Sequence, residues 1–340
     1  MSDAREAWEA MAGRHLVLGR GVTFSATPDG MEARVLGRAV PLSGAEPHAA
    51  SLFLAPVLAS DVVSTLSSSI PSEVVQRAVV GLLERGILEE HRAASAPVPS
   101  VFNPETLGDP AILSDVAGAL AGGRAVIVPN AFRPELAEEV RAWLTASTEW
   151  QEEQYFGPDR PYFQFHRHTI VWPLVMPQVL RDVAHSLGAP ESKAFMQALA
   201  GVDCSGRFVM TAASNRAGDY SLPHNDDNGL RTLTYIWYVS KGWRPDWGGH
   251  LVWCPTGSMV TPEFNSLVLF RVHRGTLHFV TPVAPHAPGG RLSVSGWWHR
   301  AAAVPDGMLA TTTLGGIHLT PGVYGEPTGV IGARRAVVAL

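Results

Sequence analysis

His224 and Asp226, in the segment SLPHNDDNG at residues 221 to 229, are the residues whose types and spacing best suit metal chemistry. On an extended segment, side chains two residues apart point to the same face. An imidazole and a carboxylate, completed by one further histidine, form the facial triad that holds non-haem Fe(II). The same segment also suits a polar turn in which Asp226 bonds to the backbone ahead of Asn228 and Gly229. The motif alone leaves both interpretations open.

Two positions further along the chain offer the remaining groups of such a site. His278 begins the alternating segment HFVTPV and is the candidate third ligand. Arg291 begins RLSVSGWW, where strand alternation directs Arg291, Ser293 and Ser295 to one face. A guanidinium that points inward among apolar neighbours needs an anionic partner, which it binds best through two parallel hydrogen bonds.

Other polar residues near these motifs compete for the same roles. They are Asp227, His273, His286 and the alternating pair His166 and His168. Asn225 and Asp227 flank Asp226, and on an extended chain both side chains face away from the side of His224 and Asp226. We therefore expect these two residues to be replaceable.

The elements that must position the candidate site are short strands. From residue 205 onward, segments rich in Val, Leu, Thr, Tyr and Trp alternate with Gly, Pro and Asn turns, a pattern typical of a sandwich or barrel. Upstream, RAVIVPNAFRPELAEEVRAWLTAS predicts a buried strand that leads into a helix with Pro134 in its first turn. The prediction is a mainly β fold with flanking helices.

The order of the motifs resembles one known family. The HxD pair is followed by a YxxY strand, GG-x-L, N-x-L-V-L-F, LH-x-V-x-P-V and R-x-S-x-S-G-W. This order over residues 205 to 300, with a lead-in from about residue 120, resembles the prolyl-4-hydroxylase-like branch of the Fe(II)- and 2-oxoglutarate-dependent oxygenases. The resemblance implies a double-stranded β-helix, which is a distorted jelly roll with the metal in its mouth.

The resemblance also implies roles for individual residues. The metal ligands would be His224, Asp226 and His278, which would bind Fe(II). The residues that bind the co-substrate 2-oxoglutarate would be Arg291, assisted by Ser293 and Tyr238. Arg291 would hold the distal carboxylate. O2 would be the other co-substrate, and ascorbate would support turnover.

The chain departs from the family's pattern in two places. His250 stands where the family often has a glutamate, and the insertion APHAPGG lengthens the interval between His278 and Arg291. The longer interval affects the expected geometry of the loop rather than the role of the arginine.

The first 95 residues predict a separate, small α+β module. Two or three short strands precede two helices, and the second helix is expected from Pro71 and Ser72 to Gly86, followed by the strand ILEE. This winged-helix-like order resembles modules that clasp leader peptides in ribosomal peptide modification, which makes peptide docking a candidate role.

Charge argues against DNA as the partner of this module. It holds eight arginines, no lysine and eleven acidic residues, so its net charge is 8 − 11 = −3. The second helix carries Arg77 and, next to the closing Gly86, Arg85, against the acidic residues Glu73 and Glu84. Release of counterions from DNA would therefore contribute little to binding.

The predicted boundaries divide the chain into four parts. Residues 1–95 form the winged-helix-like module, and residues 96–110, which include four prolines, form a linker. Residues 111–300 form the double-stranded β-helix domain, and residues 301–340 form a β extension of unknown role.

Composition limits the classes of partner. The 340 residues are 46% hydrophobic, and the formal net charge of −5 comes from scattered residues, so neither nucleic acid nor an anionic membrane is expected. The charged N-terminus has no signal-peptide pattern, and a cytoplasmic location is expected. Cys204 and Cys254 are expected to be reduced core residues. The sequence does not predict an oligomeric state.

The functional hypothesis is an Fe(II)- and 2-oxoglutarate-dependent dioxygenase that hydroxylates an unactivated C–H bond of an amino-acid residue in a peptide or protein. A free amino acid or a small natural-product intermediate is the alternative substrate. A non-catalytic jelly-roll binding protein is the alternative from a different class.

Overall fold

The computed structural model describes residues 2–19, 21–27, 30–54, 57–90, 99–156, 164–170, 176–301 and 338–339. The helices in these ranges are α1 (Ser2–Met11), α2 (Glu46–Ser51), α3 (Ala59–Leu66), α4 (Ser72–Glu84), α5 (Pro104–Leu107), α6 (Pro110–Ala121), α7 (Pro134–Ala146), α8 (Gln178–Gly188) and α9 (Pro190–Ala200). The strands before the candidate metal ligands are β1 (His15–Leu18), β2 (Thr23–Thr27), β3 (Gly30–Val35), β4 (Arg38–Leu42), β5 (Val57–Leu58), β6 (Leu88–Glu90), β7 (Val126–Val128), β8 (Gln151–Phe156), β9 (Gln164–Thr169) and β10 (Phe208–Asn215). The later strands are β11 (Tyr220–His224), β12 (Arg231–Tyr238), β13 (Leu251–Trp253), β14 (Ser258–Val260), β15 (Ser266–Arg271), β16 (His278–Val280), β17 (Arg291–His299) and β18 (Val338–Ala339).

Contacts divide the chain into two compact units. The first contains the described residues up to Glu90 together with residues 176–191, and the second contains residues 99–170, 192–301 and 338–339. The predicted boundaries place helix α8 in the second domain, whereas its contacts group it with the first unit. One such contact is the Gly21 N–H, which donates to Gln178 Oε1 at 3.1 Å.

The first unit has two small antiparallel sheets. Strand β1 pairs with β5 and β6, and β3 pairs with β2 and β4. Helix α4 begins at Ser72 and ends before Gly86, as predicted, and its apolar face buries Val75, Val79 and Leu82. The winged-helix-like interpretation of this module stays a prediction.

The second unit is a double-stranded β-helix, as predicted. Its strands form one continuous twelve-stranded sheet, in which one half has the order β14-β13-β16-β11 and the other has the order β10-β17-β12-β15-β7-β18. The pairings within the two halves are antiparallel, a pattern typical of a jelly roll. Strand β9 pairs with β10 and with β11 and so joins the two halves, and β8 pairs with β9.

The interior of the jelly roll explains the tryptophan-rich sequence. Leu251, Trp253, Val268 and Phe270 pack together with Tyr238 in one buried cluster. On β12, Trp237 stacks on Phe132 with ring centroids 3.9 Å apart. The large aromatic rings fill the core, as expected of strands that are buried on both faces.

The predicted linker and C-terminal extension are only partly covered. Within residues 96–110, helix α5 is present, and Phe102 packs on Phe132 at 5.1 Å between ring centroids. The composition of the linker did not indicate that Phe102 packs against another aromatic ring. The predicted β extension, 301–340, lies outside the described residues apart from residue 301 and β18, which pairs with β7.

Both cysteines are buried and free of disulfides, as expected. Burial raises the pKa of Cys204 to about 12, so its thiol stays protonated. Among the helices in the described ranges, none combines the length and apolar character needed to cross a bilayer.

Candidate active site

His224 and His278 are brought together by two adjacent strands. His224 ends β11, His278 begins β16, and the two residues are direct cross-strand partners. Their ring centroids are 4.5 Å apart. A shift in register between Ser221 and His224 marks a β-bulge, which re-aims the end of β11.

Asp226 lies in the turn that follows β11 and completes the group. Its Oδ1 is 3.9 Å from His224 Nε2, and its Oδ2 is 3.8 Å from His278 Nε2. These distances are too long for direct hydrogen bonds. One ligand atom from each of the three residues lies within 4.8 Å of the others, and in the described part of the chain this is the group that suits a metal ion.

Backbone carbonyls fix the orientation of both imidazoles. His224 Nδ1 lies 2.8 Å from Leu222 O, and His278 Nδ1 lies 3.0 Å from Thr276 O. A carbonyl oxygen only accepts, so each Nδ1 carries the proton. Each Nε2 is therefore the basic nitrogen turned toward Asp226, the tautomer that a metal-binding histidine requires.

The electrostatics favour the protonation states that bind a cation. Burial lowers the pKa of His224 to about 4, so this imidazole is neutral near pH 7. Burial alone would raise the pKa of Asp226, but the charges of His278, His224 and Arg231 lower it to about 2. A neutral imidazole and an ionised carboxylate are the forms in which these groups bind metals.

The neighbours of Asp226, rather than Asp226 itself, form the turn. Asp227 N–H donates to Asn225 Oδ1, Gly229 N–H donates to Asp227 Oδ1, and Leu230 N–H donates to Asn228 Oδ1. The carboxylate of Asp226 instead accepts from Thr234 Oγ1 at 2.9 Å. The turn interpretation therefore assigned the capping role to the wrong residue.

The burial and hydrogen bonds of Asn225 argue against the expectation that it is replaceable. Asn225 is fully buried, its Oδ1 accepts from the backbone of Asp227, and its Nδ2 is 3.4 Å from Arg274 O. The expectation assumed an extended chain, but β11 ends at His224. The strict alternation of side chains ends there too.

Arg291 is a buried cation with a neutral partner. Its residue is 3% exposed, and its Nη1 donates to Asn215 Oδ1 at 2.9 Å across β10 and β17. Its Nε has no hydrogen-bond partner among the described residues, and none of their carboxylates pairs with it. A buried guanidinium left in this state is costly unless an anion binds to it.

Tyr238 and Ser293 lie beside Arg291. They are cross-strand partners on β12 and β17, and the guanidinium of Arg291 lies 4.8 Å from the centroid of the Tyr238 ring. The Tyr238 hydroxyl is buried and makes no well-aligned hydrogen bond with a described residue. Burial raises the pKa of Tyr238 despite the charge of Arg291, so the hydroxyl remains a donor.

Gly249 makes room for Arg291. A Cβ on this residue would lie 2.9 Å from Arg291 Cδ, and its φ of +66° is one that L side chains rarely adopt. The next residue, His250, is buried, and its Nε2 lies 2.8 Å from Pro245 O. His250, which stands where the resembled family often has a glutamate, thus hydrogen-bonds to the backbone of a turn.

The competing residues lie in other settings. His286 is exposed, with 64% of its side chain accessible, and Asp227 and His273 help to form turns. His166 and His168 both bond through Nδ1 to the carboxylate of Asp219, which is fully buried. None of these residues belongs to the group formed by His224, Asp226 and His278.

Sequence reasoning missed Arg231. Its guanidinium stacks on Trp297 at 3.6 Å from the ring centroid, and its Nη1 lies 3.9 Å from Asp226 Oδ1. A shift in register separates Arg231 from Leu233, so counting alternate residues along β12 does not place Arg231 on the site's face. Its position at the start of a strand seven residues after His224 was the available signal.

Comparisons with known proteins point to one superfamily. Residues 210–299 match the sequence model of the 2OG-Fe(II) oxygenase superfamily. The chain is 28% identical over 116 residues to prolyl 3-hydroxylase OGFOD1 of Mus musculus, covering 32% of this chain and 21% of that protein. It is 29% identical over 174 residues to prolyl 3,4-dihydroxylase OGFOD1 of Ostreococcus tauri, covering 44% of this chain and 32% of that protein.

The chain thus spans a third or less of the length of these curated relatives. Among solved structures, a prolyl-4-hydroxylase of Pseudomonas putida is similar, with a TM-score of 0.42 and 20% sequence identity. That similarity covers 56% of this chain and 100% of the other.

Proposed function

We propose that this chain, whose residues 210–299 match the 2OG-Fe(II) oxygenase superfamily, is an Fe(II)- and 2-oxoglutarate-dependent hydroxylase. The observation that carries the proposal is the buried Arg291, whose charge no described carboxylate neutralises. A dicarboxylate co-substrate supplies the missing anion. A jelly-roll protein that only binds partners has no need of this arrangement.

The triad supports Fe(II) as the metal. His224, Asp226 and His278 offer two imidazole nitrogens and one carboxylate, the ligand set of the non-haem iron facial triad. The carbonyls of Leu222 and Thr276 hold the rings with Nε2 toward the metal position. Thr234 orients Asp226 through a hydrogen bond to Oδ2. These contacts orient the ligands before the metal binds, as hydrogen-bond partners of ligands do in other metal sites.

Arg291, Tyr238 and Ser293 are proposed to bind the distal carboxylate of 2-oxoglutarate. Arg291 offers Nε and Tyr238 offers its hydroxyl, and both are buried donors without a well-aligned partner among the described residues. Asn215 holds the guanidinium from the other side. Ser293 lies across from Tyr238 and on the same face as Arg291.

When bound, Fe(II) and 2-oxoglutarate supply the O2-dependent oxidation that converts a substrate C–H bond to C–OH and 2-oxoglutarate to succinate and CO2. The chain's own residues hold the metal, fix the co-substrate and shield the site from water. Trp253 and Phe270 line the side of His278, with Phe270 at 4.9 Å between ring centroids. An apolar wall of this kind keeps bulk water away from the ligands.

We propose a proline residue of a peptide or protein as the substrate. Both curated relatives are named as prolyl hydroxylases, which supports this choice. A free amino acid or a small natural-product intermediate remains the alternative. A peptide or protein substrate would use a separate docking module, whereas a free amino acid or small molecule would not need one.

The N-terminal module is proposed to dock the peptide. Strand β6 pairs with β1 and, among the described residues, has no neighbour on its other side. An exposed edge of this kind accepts an extended peptide as an additional strand. Glu89 is exposed on β6 and favours a basic segment in the docked peptide, whereas Glu90 already pairs with Arg14 at 3.2 Å.

The experiment that tests the proposed function is turnover by the purified protein. With Fe(II), ascorbate, O2 and 2-oxoglutarate, we expect succinate to form, and we expect a gain of one oxygen atom in members of a proline-containing peptide library. Succinate is measured by chromatography and the peptides by mass spectrometry. Absence of succinate together with absence of metal-dependent 2-oxoglutarate binding would contradict the proposal.

A further inference from the structure

Asp219 is a fully buried carboxylate outside the group of candidate iron ligands. It lies in the turn between β10 and β11, where its Oδ1 accepts from His166 Nδ1 and its Oδ2 accepts from His168 Nδ1 at 2.9 Å. A buried charge is costly unless an opposite charge and hydrogen bonds balance it. In the described part of the chain, the ion pairs of Asp219 are with these two histidines. The balancing charge therefore comes from an imidazole.

His166 is the ring that carries this charge. Its Nδ1 faces Asp219, and its Nε2 lies 2.8 Å from Glu152 Oε1 on β8. An ionised carboxylate only accepts, so both ring nitrogens donate, and a ring with two N–H groups is a cation. His168 makes one contact with a carboxylate, which a neutral ring satisfies. Hydrogen bonding to Glu152 raises the pKa of His166, and the charge of Asp219 adds to the rise, although partial burial opposes it.

The carboxylate of Asp219 also holds the backbone next to Asn215. Asp219 Oδ2 accepts from the Arg216 N–H at 2.8 Å, and the Asp219 N–H donates to Arg216 O at 2.9 Å. These two bonds close the turn and fix the peptide group that follows Asn215. The Oδ1 of Asn215 accepts from Arg291 Nη1 at 2.9 Å. One side of the Arg291 guanidinium is thus held by a residue whose backbone depends on Asp219.

The backbone of Asp219 reaches the other side of Arg291 through Val283. Asp219 O accepts from the Val283 N–H at 3.1 Å, and Val283 O accepts from the Gly218 N–H at 2.9 Å. A Cβ on Gly249 would lie 3.1 Å from Val283 Cγ2 and 2.9 Å from Arg291 Cδ, so both side chains pack on this glycine. The turn that ends at Asp219 therefore supports the surroundings of Arg291 on two sides.

We propose that Asp219 is a positioning residue for the 2-oxoglutarate subsite and that protonated His166 holds it in place, so that the affinity for 2-oxoglutarate falls at alkaline pH. The inference rests on the proposed function, because that function assigns the subsite around Arg291 to the co-substrate. When His166 loses its proton, the buried carboxylate has no positive partner, and the hydrogen bonds that close the turn weaken.

The direction of the pH effect follows from the raised pKa of His166. The contact is complete below the ordinary pKa of a histidine and is lost as pH rises through the raised value. Burial lowers the pKa of His224 to about 4, so this ligand stays neutral over the same range. The effect is therefore expected above the ordinary pKa of histidine, where the charge of His224 does not change.

The test measures the dissociation constant of 2-oxoglutarate for the Mn(II)-loaded protein between pH 6 and pH 9, by calorimetry under nitrogen. We expect the wild type to bind 2-oxoglutarate about tenfold more weakly at pH 9 than at pH 6, a factor typical of one hydrogen bond to a charged group. Linkage requires that binding takes up protons over the same range. Calorimetry in two buffers with different heats of ionisation detects this uptake.

Two variants connect the effect to the cluster. Glu152→Gln removes the larger cause of the raised pKa of His166 at an exposed position, so the loss of affinity should move to lower pH. Asp219→Asn should bind 2-oxoglutarate about tenfold more weakly at pH 6 and should show little further change with pH. His286→Gln is the matched control, because it changes an exposed histidine outside the cluster, and it should keep the wild-type curve.

The Mn(II) affinity of each protein, measured in parallel, shows whether a loss is confined to the co-substrate. Affinity for 2-oxoglutarate that does not change with pH in the wild type, or a Glu152→Gln curve that coincides with it, would overturn the inference. Wild-type affinity of Asp219→Asn at pH 6 would overturn it too. If Asp219→Asn does not fold, the other two curves decide. A wild type that binds no 2-oxoglutarate at any pH would contradict the proposed function as well, whereas binding that is independent of pH would leave that function intact.

Discussion

His224 and His278 face each other across neighbouring antiparallel strands, each with its Nδ1 proton held by a carbonyl two residues earlier in its own segment. The fold rather than the metal therefore sets the directions of both Nε2 atoms. A preset ligand pair of this kind makes metal affinity sensitive to the loss of either ring.

Replacing His278 with alanine should lower the affinity for Mn(II) or Fe(II) at least about 100-fold, since loss of a residue that only hydrogen-bonds to a ligand already costs roughly 10- to 100-fold. Metal content after dialysis and calorimetric titration with Mn(II) measure the effect. His286→Ala is the control, because His286 is exposed and lies outside the triad. Retention of wild-type affinity by His278→Ala would remove this residue from the metal site.

Replacing Arg291 with glutamine should raise the 2-oxoglutarate concentration needed for half-maximal succinate formation by about 100-fold, because a buried charge contact is worth roughly 2 to 5 kcal/mol. The preference for 2-oxoglutarate over 2-oxopentanoate, which lacks the distal carboxylate, should collapse in parallel. Tyr238→Phe should show a smaller shift in the same direction. If Arg291→Gln still prefers the dicarboxylate, the assignment of Arg291 fails.

Gly249→Ala should weaken the binding of 2-oxoglutarate at Arg291 without removing any polar group. The added Cβ would meet Arg291 Cδ at 2.9 Å, and the left-handed backbone adds about 1 to 3 kcal/mol of strain. Gly257→Ala is the matched control, because its φ is +69° and nothing lies within 4 Å of its Cβ. Both variants should lose thermal stability, but only Gly249→Ala should raise the 2-oxoglutarate requirement. An equal requirement in the two variants would contradict the packing argument.

His166 on β9 should make stability depend on pH. Hydrogen bonding to Glu152, with the charge of Asp219, raises the pKa of His166 above its ordinary value. The protonated ring contributes stability that is present below the ordinary pKa and lost as pH rises through the raised pKa. Melting temperatures between pH 6 and pH 9 should therefore fall less in Glu152→Gln than in the wild type. If the melting temperatures of the two proteins fall in parallel with pH, the contact between His166 and Glu152 does not contribute to stability.

The strands and the triad were predictable, whereas their surroundings were not. The apolar character of β12, β15 and the first half of β17 matches their nearly continuous burial, and the order of motifs placed His278 beside His224. The burial of Asn225 was not predicted because the chain leaves the extended conformation immediately after His224. The position of Arg231 beside Asp226 was not predicted because the register shifts in β12. Irregularities of this kind arise from pairing between distant strands, which local sequence does not encode.

The grouping of α8 with the first unit was missed for a related reason. Residues 178–188 are amphipathic wherever they pack, and only tertiary contacts such as that of Gln178 with Gly21 decide their place. Contacts between residues this far apart in sequence leave no periodic signal.

His224 and His278 are 278 − 224 = 54 positions apart in the chain, yet their rings lie side by side at the ends of two strands. An ion held between them would act as a reversible cross-link that closes the intervening segment. Any binding energy that favours the folded chain adds to its stability in proportion to the logarithm of the free ion concentration. We therefore expect the iron supply to affect how long the folded protein persists, as well as how fast it turns over.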